Sequence, residues 1–417
     1  MAHTIHIHKP SPPLSEADEK RIGQILSILA RCPIRTPLET LKRLIKPFVE
    51  EWRIISIIEF LYEEDIIYYD KAEKVCHVQD AYQADYLVKP IPKFLPQDGY
   101  HKWLQDFALA LSDLGEYHHA IEILEGFRSL IPAYHRQLNH QIGQLYFIIG
   151  EYTKTISLIQ PTNYSQLGLV NLYSGKIQEA YSYFLQQENA TASSDRTNFE
   201  ANLGLYAHIR GDIQQAIQHF NIQIRLAHNQ SDNQTELIGL ANLGKAYINI
   251  SDYVNAIATL EQALEMTIPI RYSKSVILEY LATAYLFSGN TDQAQIILNQ
   301  GKMLGYRHSA YNMHILTGIL LHQSGEATAK EEFEDAIRLL DRSQSENFEK
   351  LYRLGLAHAG LGLYIRSHLK KAVGYYQDAI KQCNGQGVIR YELGLLSLLS
   401  SPDQLSAIYK VLNASLE

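Results

Sequence analysis

The chain has 417 residues, 46% hydrophobic and 20% charged, with a net charge of −8 and a pI near 6.1. Single cores stop growing at roughly 250 to 300 residues, so several domains or one elongated repeat array are expected. The acidic balance gives no overall attraction to nucleic acid or anionic membrane, whose binding begins with basic surface. Three widely spaced cysteines, Cys32, Cys76 and Cys383, suit a reducing compartment better than a disulfide framework. No apolar run reaches the roughly 18 residues of a membrane span, and MAHTIHIHKPSPPL lacks a signal-peptide core, so a cytoplasmic protein is expected.

Residues 1–14 read as an extended leader. His3, His6 and His8 could ligate a metal, but no Cys or carboxylate with ligand spacing follows them, so neither metal nor cofactor is assigned. From Ser15 the pattern turns helical, with Ile22, Ile25, Leu26, Ile28 and Leu29 on one face. A second helix is expected after Thr36-Pro37, with Thr as cap and Pro in the first turn. A third follows Pro47, with Val49, Trp52, Ile55, Ile58, Leu61 and Tyr62 as its buried stripe. DIIYYDKAEKVCHVQ then reads as two strands joined by a polar turn.

Three helices and a β-hairpin over residues 15–98 resemble the winged-helix domain that follows the nucleotide-binding module of STAND-type signalling ATPases. ILSILARCPI, LYEEDIIYY and VCHVQDAYQADYL carry the likeness. A DNA-reading third helix needs cationic and amide side chains. Here Glu50, Glu51, Glu59, Glu63 and Glu64 surround the lone Arg53, which favours a protein contact over nucleic acid.

Over residues 99–382 a repeat governs. The residue between two helices of a pair falls at Gly115, Gly150, Gly175, Gly211, Ser251, Gly289, Gly325 and Gly362, at intervals of 35, 25, 36, 40, 38, 36 and 37. Seven residues before each stands a small residue of the first helix, helix A: Ala108, Gly143, Gly168, Gly204, Gly244, Ala282, Gly318 and Gly355. Helix B answers with Ala120, Ala180, Ala216, Ala256, Ala294, Ala329 and Ala372, and Thr155 breaks the series. Small residues recur because the two helices must touch there. The third unit is truncated after the loss of helix B at Gln160-Pro161; the seventh is one residue short before Ala329, and the eighth has five extra before Ala372.

These eight units resemble tetratricopeptide repeats (TPR), most clearly in ELIGLANLGKAYINISDYVNAIATLEQALEMTIP. The resemblance implies an all-α, right-handed superhelix of eight to nine helix pairs, behind the small winged-helix domain. Residues 383–417 are expected to cap the array or form a degenerate ninth repeat. The A helices would line a concave groove. By resemblance its residues are Gln137, His140, Gln144 and Phe147; Asn198, Asn202, Leu205 and His208; Asn242, Lys245 and Asn249; Tyr280 and Phe287; Asn312, Ile319 and His322; and Tyr352 and Arg353.

Asn202 and Asn242, both in ANLG, stand out, since an amide can bind a ligand backbone without imposing charge; they could equally bridge adjacent A helices. The Lys-Asn-Asn-Lys-Arg carboxylate clamp of chaperone-binding TPR proteins is not reproduced, so an amphipathic helix or folded surface fits better than an acidic C-terminus.

No GxxxxGK[ST], GxGxxG, HExxH, CxxC or GxSxG motif occurs, and catalysis is not expected. The expected function is a non-enzymatic protein- or peptide-binding scaffold or sensor, like the sensor half of a bacterial STAND system, with a separate ATPase or effector as partner. A peptide-responsive transcription regulator is the alternative.

Overall fold

The computed structural model describes residues 16–31, 36–45, 57–59, 61–63, 66–70, 75–78, 105–112, 115–130, 135–190, 196–266, 271–304, 310–399 and 403–416. The leader, most of the expected third helix and the stretch 79–104 lie outside them. The chain divides into two compact units, Met1–Leu145 and Tyr146–Glu417.

In the first unit, α1 (Glu16–Leu29) buries Ile22, Ile25, Leu26, Ile28 and Leu29, and α2 (Leu38–Ile45) buries Leu41, Leu44 and Ile45. Thr36 and Pro37 do not begin α2; they form a short strand, β1. The fixed φ of Pro tolerates this extended backbone at a strand end, and the helix starts one residue later. β2 (Ile67–Asp70) and β3 (Val75–Val78) pair antiparallel with Tyr69 opposite Cys76, and β1 pairs with the other edge of β3. Cys76 is buried, which pushes its thiol up to about 12. Residues 105–112 are helical, followed by α3 (Tyr117–Leu130) and by α4 (His135–Ile148).

The second unit is a run of helices, paired antiparallel after the first. They are α5 (Tyr152–Leu158), α6 (Tyr164–Tyr173), α7 (Ile177–Ala190), α8 (Arg196–Arg210), α9 (Ile213–Asn229), α10 (Asn233–Asn249) and α11 (Tyr253–Glu265). Then follow α12 (Arg271–Phe287), α13 (Thr291–Leu304), α14 (Ala310–Gln323), α15 (Ala329–Arg342), α16 (Glu349–Gly362) and α17 (Ser367–Gln382). α5 stops early: Ile159 already has extended backbone two residues ahead of Pro161, which cannot continue a helix.

The turns and seams follow a single scheme. Gly115, Gly150, Gly175, Gly211, Ser251, Gly289 and Gly325 all have positive φ, from 60 to 105°, the left-handed cap that ends a helix and reverses the chain. Ser251 is the exception in chemistry: its N–H bonds Ile248 O, Asp252 N–H bonds Tyr247 O, and Asp252 then caps α11 by accepting from Asn255 N–H. Gly362 is the exception in conformation, because α16 runs to it and residues 363–366 carry the turn. The five extra residues of the eighth unit therefore go partly into that turn.

The glycines of helix A from Gly168 onward each face a large residue of helix B. A Cβ on Gly168 would lie 2.2 Å from the Phe184 ring, on Gly204 2.5 Å from Phe220, and on Gly244 2.5 Å from Leu260. The partner is sixteen residues on in each case, fifteen for Gly318 and Phe333, and twenty-one for Gly355 and Tyr376. The short seventh unit and long eighth unit thus keep the same contact by shifting register.

Successive A helices pack side by side as an inner wall. The array also meets itself. Glu346 N–H donates to Gly150 O at 2.8 Å, Thr153 Oγ1 donates to Glu346 Oε2, and Phe348 N–H donates to Tyr173 O. The segment before α16 is therefore sewn to turns nearly two hundred residues earlier.

The chain then takes a course that differs from a ninth repeat. α18 (Gln386–Leu399) does not lie chiefly against α17; it turns back onto the inner wall and packs on α8, α10, α14 and α16. Asn384 and Gly385 make the reversal close-fitting, since a Cβ on Gly385 would lie 2.4 Å from Ile209 O. α19 (Ser406–Asn413) packs on α17 and covers the last pair.

Candidate binding groove on the inner face

The inner wall carries a buried polar cluster drawn from five A helices. Lys245 Nζ of α10 reaches Glu349 Oε1 of α16 at 3.2 Å, across the face. It also lies 5.2 Å from the Tyr280 ring centroid of α12 and 5.4 Å from that of Tyr391 on α18. Arg353 of α16 donates to Glu392 of α18, both almost fully buried, and its guanidinium stands 5.6 Å from the Tyr391 ring. Asn312 of α14 donates to Glu279 Oε2 of α12 at 2.8 Å. His208 of α8 and Asn249 of α10 meet at 3.3 Å, and the other amide proton of Asn249 goes to Gly387 O at 3.1 Å.

Burial sets the charge states. It pushes the Glu279 and Glu392 carboxyls up despite the nearby Arg353. It acts the same way on Glu349, but Lys245 and Arg353 outweigh it and hold that carboxyl below the usual range. Burial, aided by the Lys245 charge, drives His208 down to about 3, so its ring is neutral and Nε2 accepts from Asn249. Lys245 stays a cation, because Glu349 and the two tyrosines more than offset its desolvation.

α18 lies across this face. Gly387 crosses the end of α8 so closely that a Cβ would stand 1.8 Å from His208 O. One turn on, Tyr391 sits between two cations and Glu392 meets Arg353. A Cβ on Gly394 would lie 3.1 Å from Phe287, and Leu398 O accepts from Gln323 at 2.9 Å.

Of the residues expected in the groove, Lys245, Asn249, Phe287 and Arg353 touch α18, and Tyr352 holds its approach by donating to Cys383 O at 2.7 Å. Asn312, Tyr280 and His208 belong to the polar cluster beneath it. Asn202 is buried and bridges helices, donating to Ser165 Oγ and Gln187 Oε1 at 2.9 Å each. Asn242 is half-buried on α10. His322 pairs with the Tyr364 hydroxyl at 2.9 Å near the rim. Asn198 is exposed at the start of α8, and Gln137, His140 and Gln144 are exposed on α4 within the first unit.

Sequence reasoning missed Glu279, Glu349, Gln323 and the whole contribution of α18. Glu279 stands three residues before Ala282 and Glu349 six before Gly355, which are groove positions by the same count that placed Tyr352 and Arg353. No local spacing marks α18 as a groove occupant.

Among the described residues no group of three His, Cys, Asp or Glu side chains is placed to hold a metal ion, and no helix is long and apolar enough to cross a membrane. No curated protein matches the chain. Among solved structures, it is similar to a signal transduction ATPase with numerous domains (STAND) carrying a tetratricopeptide repeat sensor, from Pyrococcus horikoshii. That likeness has 16% identity and a TM-score of 0.42, over 97% of this chain and 66% of the other, so this chain spans just under two thirds of that protein. The human IFIT1 dimer with PPP-AAAA matches at 13% identity and TM-score 0.43, over 88% of this chain and 95% of that one. Aspartyl phosphate phosphatase F of Bacillus subtilis matches at 14% and 0.38, over 88% and 94%. Residues 240–269, the heart of the α10–α11 hairpin, match the tetratricopeptide repeat family.

Proposed function

We propose that the chain is a non-enzymatic protein-binding sensor or scaffold whose inner face receives a helical segment of a partner protein. The observation that carries this reading is α18, a helix already held on that face by side chains from α10, α12, α14 and α16 and pressed close to the backbone of α8. A surface that reads a helix through backbone carbonyls, an aromatic ring and a carboxylate has the chemistry of helix-in-groove recognition.

The N-terminal region, by its likeness to a winged helix, would couple the event to another module such as a separate ATPase, as the sensor half of a bacterial STAND system would. Glu59 and Glu63 are exposed there, which supports a protein contact over DNA. Binding of genomic fragments in a low-salt gel shift would instead favour a peptide-responsive regulator.

The test is photo-cross-linking in extracts of the source cells, with a photoreactive amino acid at Asn242, expected to face the groove and half-buried on α10, or at Val254 on α11, 80% exposed. One partner protein captured from position 242 and not from 254 is expected. Equal capture from both, or none from 242, overturns the reading.

A further inference from the structure

α18 is an incomplete fit to the face it covers. It leaves Asn312 Oδ1 and Asn249 Oδ1 buried without a hydrogen-bond partner among the described residues. Asn312 is 8% exposed. A hydrogen-bond donor on a different occupant would satisfy them.

The contact is also unlike the seams between helices, which are apolar. Beside the apolar side chains of Ile389, Leu395, Leu396 and Leu399, which join α18 to the main core, it includes a buried ion pair, a ring between two cations and two side-chain bonds to main-chain carbonyls. Buried charge pairs add little stability over apolar packing and are best attested as devices that fix register and partner. At its start, where Asn384, Gly385 and Gln386 pass Lys176, Arg210 and Asp212, a cleft of about 590 Å³ opens beside the helix.

We propose that α18 is a resident stand-in for the ligand and that a partner's amphipathic helix takes its place. Resting on the protein-binding reading above, this names the ligand's chemistry. The helix carries a small residue where it crosses α8, an aromatic-carboxylate pair four and five residues later to meet Lys245 and Arg353, and a second small residue over Phe287. A hydrogen-bond donor aimed at Asn312 or Asn249 gives it the advantage over the resident. Gly387, Tyr391, Glu392 and Gly394 are the template.

The test uses the full-length chain and a fluorescent peptide of residues 385–399 as probe. Gly387→Val drives a side chain against His208 O and so loosens the resident helix while leaving every inner-wall residue unchanged. The folded variant is expected to bind the peptide about tenfold or more tighter than wild type, and a peptide carrying Glu392→Lys is expected to lose about tenfold. Absence of peptide binding by the folded variant, or indifference to the lysine, overturns the proposal.

Hydrogen exchange on the unmodified chain decides the matter should the variant not fold. Amides of α18 are expected to open in smaller events than those of α16; equal protection makes α18 a permanent core helix and ends the idea. A partner cross-linked at Asn242 with an immobile α18 would leave the protein-binding function standing without this inference. An exchanging α18 with no cross-linked partner would leave a detachable helix without a protein ligand, and would overturn both.

Discussion

The seams between helices A and B and the inner face solve different problems. A seam is local, apolar and repeated: a small residue meets a ring or a leucine a fixed sixteen residues on, with only Phe333 and Tyr376 out of step. The inner face is long-range, charged and singular: Lys245 finds Glu349 across 104 residues and Arg353 finds Glu392 across 39. Seams make the array, whereas the inner face makes this array different from others.

That contrast predicts how each should break. The largest effect is expected from Arg353→Ala, which strands Glu392 in a buried site and should cost about 3–5 kcal/mol in urea unfolding. Replacing both partners, Arg353→Met with Glu392→Met, should recover most of that loss; a double variant as weak as the single one would show the charges to be indispensable to folding.

A seam should respond to volume alone. Gly204→Val puts a side chain into the Phe220 ring and should lower stability by about 1–3 kcal/mol. Phe220→Leu in the same chain should return part of it. Strict additivity of the two changes would mean that the residues do not share a seam.

A pH series sharpens the inner-face side. His208 is neutral in the folded chain, held to about 3, while an unfolded histidine titrates near 6.5. The unfolded chain therefore takes up a proton first as pH falls, and stability drops between pH 6.5 and 3, by up to about 1.4 kcal/mol per pH unit. Glu279 and Glu392, raised by burial, act in the opposite sense: their contribution is present below the ordinary carboxylate pKa and is lost as pH rises through their raised values. Comparing wild type with His208→Gln isolates the histidine, and an unchanged slope would place that ring in solvent.

The smallest effect is expected at a turn. Ser251 holds a φ of 60°, which costs a non-glycine residue roughly 1 kcal/mol, so Ser251→Gly should raise the melting temperature slightly, a gain of about 1 kcal/mol at most. A loss would show that the side chain contributes more than its backbone strain.

Much of the seam architecture was legible because it is written at short range. Positive-φ glycines, small residues seven places earlier and alanines on helix B recur, and Gly362 alone departs, where extra chain lets the turn form later. Inner-face residues such as Lys245, Asn249 and Arg353 were also legible, since helix A exposes the same positions in every unit. What they meet was not. The path of α18 is set by contacts with A helices far apart in the sequence, α8, α10, α14 and α16, and no single interval records them together. Asn202 shows the other limit: its amide serves Ser165 and Gln187, and an identical ANLG at Asn242 has a different setting.

The stitch between Glu346 and Gly150 limits what evolution can do with this chain. An open solenoid lengthens or shortens by duplicating or deleting a unit, because each repeat knows only its neighbours. Here one unit more or fewer would carry Glu346 past Gly150 and Phe348 past Tyr173, and would take Arg353 away from the helix it holds. The number of repeats is thereby counted by the structure itself, and variation is left to the side chains.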